Sequence, residues 1–281
     1  MKTISSNSIG EALLLNIPHI ASSLPADIRE ALETAREEET HERARIVLDH
    51  LCENAKIAST DHVPLCQDTG TVWACLEIGP DIALNGNVFS KVNSAVAAAY
   101  LNSKLRKSVV KDALFDRANT EDNTPAFTEI HVVDQPGVAR LHIMLKGGGS
   151  DNASRVVMLT PSAGKQGVID AVLQCVNEKA ANACPPLVVG VGVGSTFDKV
   201  GGLAKRALMR PLNVPHPDHR AAEFEEELLE AINATGIGAG ALGGNHTALG
   251  VRVATAPCHI AALPVAINMG CSAMRRITVE L

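Results

Sequence analysis

Residues 187–193, Leu-Val-Val-Gly-Val-Gly-Val, decide the fold class. The segment is apolar throughout and rich in valine, which is typical of a β-strand that is buried on both faces. Helical patterns flank it, one at residues 165–183 and one at residues 199–209. This alternation predicts an α/β fold, or an α+β fold with a mixed sheet.

Helix and strand patterns also occur elsewhere in the chain. Residues 8–58 place apolar side chains at intervals of three and four among charges, which predicts an N-terminal helical region. Further elements are predicted as strands at residues 72–78, 128–133, 139–145 and 249–254, and as helices at residues 88–106 and 220–234. Since no internal repeat or linker interrupts them, we expect residues 1–281 to form a single compact domain with flanking helices.

Composition narrows the function classes. The 281 residues are 46% hydrophobic and 2% aromatic, with a net charge of −6. Nucleic-acid binding needs a basic face and often aromatic stacking, so we expect no nucleic-acid partner. No apolar run reaches the roughly 18 residues of a membrane span, and the N-terminus lacks a signal-peptide pattern. We therefore expect a cytoplasmic protein that does not bind membranes.

The seven cysteines do not indicate a secreted disulfide framework, because their number is odd and the chain is large. Cys66, Cys184 and Cys271 stand near proline or glycine, which predicts rigid loops able to present metal ligands. Three converging thiolates would leave one iron of a [4Fe–4S] cluster open to substrate. The three residues are far apart in the sequence, however, so three unrelated buried thiols are the alternative.

The other cysteines have different settings. Cys52, Cys75 and Cys175 fall within helix or strand patterns, which predicts small buried side chains. Cys258 follows a proline and is ambiguous.

Polar residues near these cysteines allow two interpretations each. Asp68, beside Gln67, could accept a proton or orient a base, or it could form an Asx turn in Asp-Thr-Gly. His259 could be catalytic or structural. Arg106 could bind a carboxylate, or it could be a favourable charge at a helix C-terminus. The segment from Lys146 to Ser150, with three glycines, could receive an anion or be a flexible loop.

The run Gly-Val-Gly-Val-Gly-Ser at residues 190–195 suggests a dinucleotide-binding loop because it follows a strand. The spacing fails, since neither Ser195 nor Phe197 supplies the third small residue of G-x-G-x-x-G. Nucleotide binding is thus a weak hypothesis.

Five segments, in order, resemble the N-terminal domain or separate alpha subunit of class I iron–sulfur hydro-lyases. That family includes class I fumarate hydratase and L(+)-tartrate dehydratase. The segments are Cys66-Gln-Asp-Thr-Gly-Thr, Arg106 with Asn119-Thr-Glu-Asp-Asn-Thr-Pro, Lys146-Gly-Gly-Gly-Ser, Ala183-Cys-Pro-Pro, and His259-Ile-Ala-Ala-Leu-Pro through Cys271 to Arg276. The resemblance covers nearly the whole chain.

The resemblance implies a role for each matching residue. The implied roles are cluster ligands for Cys66, Cys184 and Cys271, dicarboxylate contacts for Gln67, Asp68, Arg106 and Gly149, and a pair with Asp68 for His259. Because the sequence stops at Leu281, the resemblance also implies that a beta subunit supplies the rest of the pocket, in an expected α2β2 heterotetramer.

The substrate expected from the resemblance is fumarate, which is hydrated reversibly to malate, because Asp-Thr-Gly-Thr and Gly-Gly-Gly-Ser-Asp-Asn look more like fumarase. L(+)-Tartrate and mesaconate are alternatives, since Gly270 and the approach to His259 through Ala256-Pro-Cys258 depart from the pattern. An iron–sulfur sensing or scaffold protein and a zinc-binding structural domain are the non-enzyme alternatives.

Overall fold

The structure, a computed structural model, describes residues 2–281. The helices are α1 Ser6–Ser22, α2 Ala26–Glu38, α3 Glu42–Asp61, α4 Val92–Asn102, α5 Gly148–Asn152, α6 Gly164–Lys179, α7 Phe197–Ala207 and α8 His219–Asn233. The strands are β1 Thr3–Ile4, β2 Thr71–Ile78, β3 Ala83–Leu84, β4 Phe127–Val132, β5 Ala139–Lys146, β6 Arg155–Leu159, β7 Leu187–Ser195, β8 Ala248–Cys258, β9 Leu263–Gly270 and β10 Arg275–Glu280. Short 3-10 turns lie at Pro161–Ala163, Ala180–Ala183 and Ala239–Ala241.

The predicted fold class, with mixed sheets, flanking helices and an N-terminal helical region, is confirmed. The described chain clusters into two compact units, and each contains one four-stranded sheet. The first unit comprises residues 2–25, 55–148 and 275–281, and the second comprises residues 26–54 and 149–274. The single domain over residues 1–281 stays a prediction. No helix within residues 2–281 is long and apolar enough to cross a membrane.

The first unit is built on a mixed sheet with strand order β10-β5-β2-β4. Strand β2 runs antiparallel to β5 and parallel to β4, and α1 and α4 pack on one face of the sheet. Alternate residues of β2, from Val72 to Ile78, enter that core, as the period of a strand requires. Thr71 pairs with Lys146, so the loop before β2 adjoins the glycines that follow β5.

The second unit has the strand order β6-β9-β7-β8, with β7 parallel to β8 and antiparallel to β9. Helix α7 packs on one face, and α6 and α8 pack on the other. A Cβ atom at Gly192 would lie 2.7 Å from the Val200 carbonyl oxygen and 2.8 Å from the Ala204 nitrogen, both in α7. This glycine of β7 therefore serves close helix packing, which removes the basis of the dinucleotide interpretation.

A buried carboxylate, Glu39, joins two distant segments of the second unit. It accepts hydrogen bonds from the backbone N–H of His41 at 2.9 Å and of Asn245 at 2.9 Å, and the His246 ring lies 3.5 Å away. Burial alone would raise the pKa of Glu39, but these donors outweigh it and hold the pKa below its ordinary value. The ionised carboxylate thus fixes the turn between α2 and α3 to the loop before β8.

Several elements were missed or given wrong boundaries. Strands β1, β3, β6, β9 and β10 were not predicted. Pro264 interrupts the pattern of β9, and β10 begins with buried Arg275 and Arg276. The predicted strands at 128–133 and 139–145 exist, but they are not neighbours, since β2 lies between them. The predicted helix at 88–106 is shorter and ends at Asn102.

Candidate active site

The loop before β2 carries three predicted site residues, Cys66, Gln67 and Asp68. Buried Leu65 anchors it, because its N–H donates to the Ala21 carbonyl oxygen at 2.9 Å. Cys66 is half-buried, and its Sγ donates to Oε1 of the exposed Gln67 over 3.4 Å. The loop therefore holds a thiol and an amide side by side.

Asp68 uses both carboxylate oxygens to fix this loop. The Gly70 N–H donates to Oδ1 at 3.0 Å, and the Gly148 N–H donates to Oδ2 at 2.7 Å. The first bond forms the predicted Asx turn. The second shows that the backbone N–H of Gly148, directly after β5, binds an anion. That anion is the Asp68 carboxylate of the same unit.

Gly70 is required at the end of the loop. Its φ of +80° is unfavourable for residues that carry a Cβ atom. A Cβ atom would also lie 2.8 Å from the carbonyl carbon and oxygen of Lys146. Glycine thus lets the backbone of the loop approach the end of β5.

Arg106 lies after α4 with its side chain exposed. The interpretation as a charge closing a helix was wrong, because α4 ends at Asn102 and the chain then turns so that Leu105 enters the core. The Arg106 carbonyl oxygen accepts a hydrogen bond from Thr69 Oγ1 at 2.6 Å. The backbone of Arg106 is therefore tied to the loop that contains Asp68.

In the second unit, three predicted residues lie on neighbouring segments. The exposed Cys184 follows the turn Ala180–Ala183 and has a φ of +55°. The Ser272 N–H donates to the Cys184 carbonyl oxygen at 3.1 Å, which brings the half-buried Cys271 alongside. A Cβ atom at Gly149 would lie 3.0 Å from the Asn182 carbonyl oxygen, so a larger residue there would press on the segment before Cys184.

His259 is exposed in the turn between β8 and β9. The Ala261 N–H donates to its Nδ1 at 3.1 Å, and the Ala262 N–H donates to its carbonyl oxygen at 2.9 Å. The turn therefore holds the His259 ring through Nδ1 at the surface of the second unit.

The sheet separates His259 from the two cysteines of this unit. Strand β7 pairs with Gly270 at Val188 and with Cys258 at Ser195. The seven steps from Val188 to Ser195, at about 3.3 Å each, span roughly 23 Å. Cys184 and Cys271 thus lie at one end of the sheet and His259 lies at the other.

The remaining cysteines have other roles. None of the seven cysteines forms a disulfide. Cys75 and Cys175 are fully buried, which confirms their predicted packing role, whereas Cys52 is only half-buried. Burial raises the pKa of Cys52 and Cys175, which disfavours the thiolate that a metal ligand needs. Cys258 is exposed, and its Sγ donates to the Ala262 carbonyl oxygen at 3.2 Å.

Sequence reasoning missed the side chains that hold the Asp68 loop. Tyr100, the single tyrosine of the chain, and Asn123 are fully buried and donate to carbonyl oxygens of that loop. Tyr100 lies in an alanine-rich helix with no recognisable motif. Only the turn segment Asn-Thr-Glu-Asp-Asn-Thr-Pro drew attention to Asn123, and it did so without a role.

Comparison with known proteins places the chain among enzymes that add or remove water. The family model described as "Fumarate hydratase (Fumerase)" matches residues 12–280. A putative L(+)-tartrate dehydratase subunit alpha of Methanocaldococcus jannaschii is 40% identical over 259 residues, covering 90% of each chain. The L(+)-tartrate dehydratase subunit alpha of Escherichia coli strain UTI89 is 32% identical over 265 residues, covering 93% of this chain and 87% of the relative.

These matches define a class of enzyme, the hydro-lyases. The chain belongs to the fumarate hydratase (Fumerase) family. The resemblance found in the five sequence segments is thereby confirmed.

Proposed function

We propose that the chain is the alpha subunit of a [4Fe–4S]-dependent hydro-lyase that acts on a four-carbon dicarboxylate. The observation that carries the proposal is the hydrogen-bonded tie between the Asp68 loop and the Arg106 segment in the first unit. It places a thiol, an amide, a carboxylate and a guanidinium on two segments that are fixed to each other. That donor set suits a metal cluster and an anionic, hydroxyl-bearing substrate.

Cys66, Cys184 and Cys271 would hold the cluster. They fit because none of them forms a disulfide, each lies on a turn or short loop and none is fully buried, in contrast to Cys75 and Cys175. Within either unit, the described residues contain no group of three or more His, Cys, Asp or Glu side chains placed to hold a metal. When bound, such a cluster supplies an iron without a protein ligand, which acts as a Lewis acid toward the substrate.

The side chains of the first unit would bind and orient the dicarboxylate. The exposed Arg106 guanidinium presents a planar set of donors that matches a carboxylate. Gln67 would donate an amide hydrogen bond, and the backbone at Gly149 would contact the substrate. Asp68 keeps an acceptor lone pair on each oxygen beside its two backbone donors and would orient or accept a proton.

We propose that the pair of Asp68 and His259 forms between two copies of the chain. Asp68 lies two residues from Cys66, which would share the cluster with Cys184 and Cys271. His259 lies at the other end of the second sheet from those two cysteines. We therefore propose that the His259 that serves one cluster belongs to another copy, as the expected α2β2 assembly allows.

The relatives change the order in which substrates are proposed. Both relatives described above bear the name L(+)-tartrate dehydratase subunit alpha, whereas the family model bears the name fumarate hydratase. We propose L(+)-tartrate first, fumarate second and mesaconate third, which replaces the expectation of fumarate first. The name "subunit alpha" also supports a beta subunit that completes the dicarboxylate pocket. A cytoplasmic location stays a prediction.

The test is anaerobic co-expression with the proposed beta subunit, followed by iron and acid-labile sulfide analysis and by turnover of the three substrates. We expect about four irons and four sulfides per alpha subunit and dehydration of L(+)-tartrate. Cys66→Ser, Cys184→Ser and Cys271→Ser should each lose the cluster, whereas the matched control Cys258→Ser, at another exposed cysteine, should keep it.

Two other results would contradict the proposal. Zinc without sulfide would revive the structural zinc domain. A stable cluster with no turnover of any of the three acids would favour the sensing or scaffold alternative.

A further inference from the structure

We propose that Thr69, Tyr100 and Asn123 form a positioning network that sets Asp68 and Arg106 in their working geometry. None of the three is assigned a role by the motifs or by the relatives. The inference rests on the proposed function, because Asp68 and Arg106 matter only if the loop binds substrate. All of the network lies within the first unit.

Tyr100 acts on the peptide group between Thr69 and Gly70. Its hydroxyl is fully buried, and its single hydrogen is shared between the Thr69 carbonyl oxygen at 3.1 Å and the Gly70 carbonyl oxygen at 2.9 Å. Burial raises the pKa of Tyr100 far above its ordinary value, so the hydroxyl keeps its proton and remains a donor. A buried phenol held this way is a permanent restraint on the loop.

The same peptide group also binds Asp68. The Thr69 carbonyl and the Gly70 N–H belong to one planar peptide, whose oxygen accepts from Tyr100 and whose N–H donates to Asp68 Oδ1 at 3.0 Å. A rotation of this peptide would break both hydrogen bonds. Tyr100 therefore sets the direction of the donor that orients the Asp68 carboxylate.

Asn123 and Thr69 connect the loop to the segment that carries Arg106. The buried Asn123 amide donates from Nδ2 to the Gly70 carbonyl oxygen at 3.1 Å, and its Oδ1 accepts the Ser108 N–H at 2.8 Å. Thr69 Oγ1 donates to the Arg106 carbonyl oxygen at 2.6 Å. Two side chains thus bridge the same pair of segments, and their contacts lie on either side of Lys107, directly after Arg106 Cα.

These polar side chains stabilise the fold, because they satisfy main-chain groups that apolar packing would leave without partners. A structural role alone would not require that they all act on the segments of Asp68 and Arg106. Here the described bonds end on the two segments that bear the carboxylate and the guanidinium. The arrangement therefore points to a role in positioning Asp68 and Arg106 for the substrate, in addition to a role in stability.

The network is tested by measuring kcat and KM in the co-expressed holoenzyme. Thr69→Val keeps the shape but removes the bond to the Arg106 carbonyl, so KM for the dicarboxylate should rise on the order of 10- to 100-fold, while Thr69→Ser should restore it. Tyr100→Phe should lower kcat by a similar factor with little change in KM, because it releases the peptide that orients Asp68. Ser94→Ala, which removes an exposed hydroxyl from the same helix as Tyr100, is the control and should match the wild type.

Hydrogen exchange of the peptide that contains residues 66–73 gives a second readout that is independent of turnover. Thr69→Val and Tyr100→Phe should speed exchange in this peptide, and Thr69→Ser and Ser94→Ala should not. If the wild type turns over substrate and Thr69→Val leaves KM unchanged, or if Thr69→Ser fails to rescue it, the network is overturned. If the wild type turns over none of the acids, the proposed function fails, and unchanged exchange in the variants would separately overturn the network.

Discussion

Replacing Gly70 with alanine tests the close approach of the Asp68 loop to β5. The substitution adds a Cβ atom at a φ of +80° and 2.8 Å from the Lys146 carbonyl group. Gly86 offers a matched control in the same unit, since its φ is +65° but nothing lies within 4 Å of the added atom. The two substitutions therefore share the backbone penalty and differ in the steric conflict.

The expected magnitudes follow from these two contributions. The left-handed conformation costs a residue with a Cβ atom about 1 kcal/mol, so Gly86→Ala should lower the free energy of unfolding by that amount. Gly70→Ala should lose about a further 1–3 kcal/mol, because its Cβ atom would collide with main-chain atoms of Lys146 in a paired strand, which cannot rotate away. The difference between the two variants measures the close approach itself.

Urea unfolding followed by tryptophan fluorescence is a suitable assay. Trp73 is the single tryptophan of the chain, it is nearly buried in β2, and its Nε1 donates to Glu129 Oε1 at 2.9 Å. Its emission therefore reports on the sheet that follows Gly70. Equal destabilisation by Gly70→Ala and Gly86→Ala would refute the reasoning, since the backbone conflict would then contribute nothing.

Three further predictions concern the second unit and the assembly. Gly192→Ala should destabilise by about 1–3 kcal/mol by pushing α7 off the sheet. Gly201→Ala, inside α7, would place its Cβ atom at an ordinary contact distance of 3.9 Å from the Val156 side chain and should stabilise by up to about 1 kcal/mol; thermal unfolding of both variants measures the two effects. Because the folded pKa of Glu39 is lowered, its stabilisation is present above the ordinary pKa of about 4.3 and is lost as pH falls through the folded value. Glu39→Gln should thus lower the free energy of unfolding by about 1–3 kcal/mol at pH 7 and weaken the loss of stability below the ordinary pKa of Glu39. A variant that loses stability with falling pH as steeply as the wild type would contradict this. His259→Asn and Asp68→Asn should each abolish turnover alone. Co-expression of the two variants should recover roughly a quarter of the wild-type turnover, because half of the dimers would be mixed and each mixed dimer would hold one intact pair. If no turnover is recovered, the pair does not form between two copies.

The sequence predicted the elements whose patterns are local. Strand β7 was found from its continuous, valine-rich apolar run, and helices α6 and α8 were found from apolar residues at helical spacing. Strand β10 was missed, since Arg275 and Arg276 are buried by contacts that only the folded chain provides. The insertion of β2 between β4 and β5 is likewise a long-range pairing without a local signal.

The candidate site was predicted unevenly for a similar reason. Asp-Thr-Gly after Cys66 gave the Asx turn correctly, because an aspartate and the N–H two residues later interact locally. The end of the helix before Arg106 was placed wrongly, because burial of Leu105 overrides helix propensity there. The distance of His259 from Cys184 and Cys271 depends on strand register, which the sequence does not reveal.

Strand β10 completes the first unit from residues 275–280, whereas its neighbour β5 occupies residues 139–146. On the ribosome, residues 149–274 emerge in the interval, so the edge of β5 stays unpaired while most of the second unit is being made. An open strand edge is a template for pairing with other chains. The order of synthesis therefore gives this enzyme a period of exposure to aggregation that lasts until β10 pairs with β5.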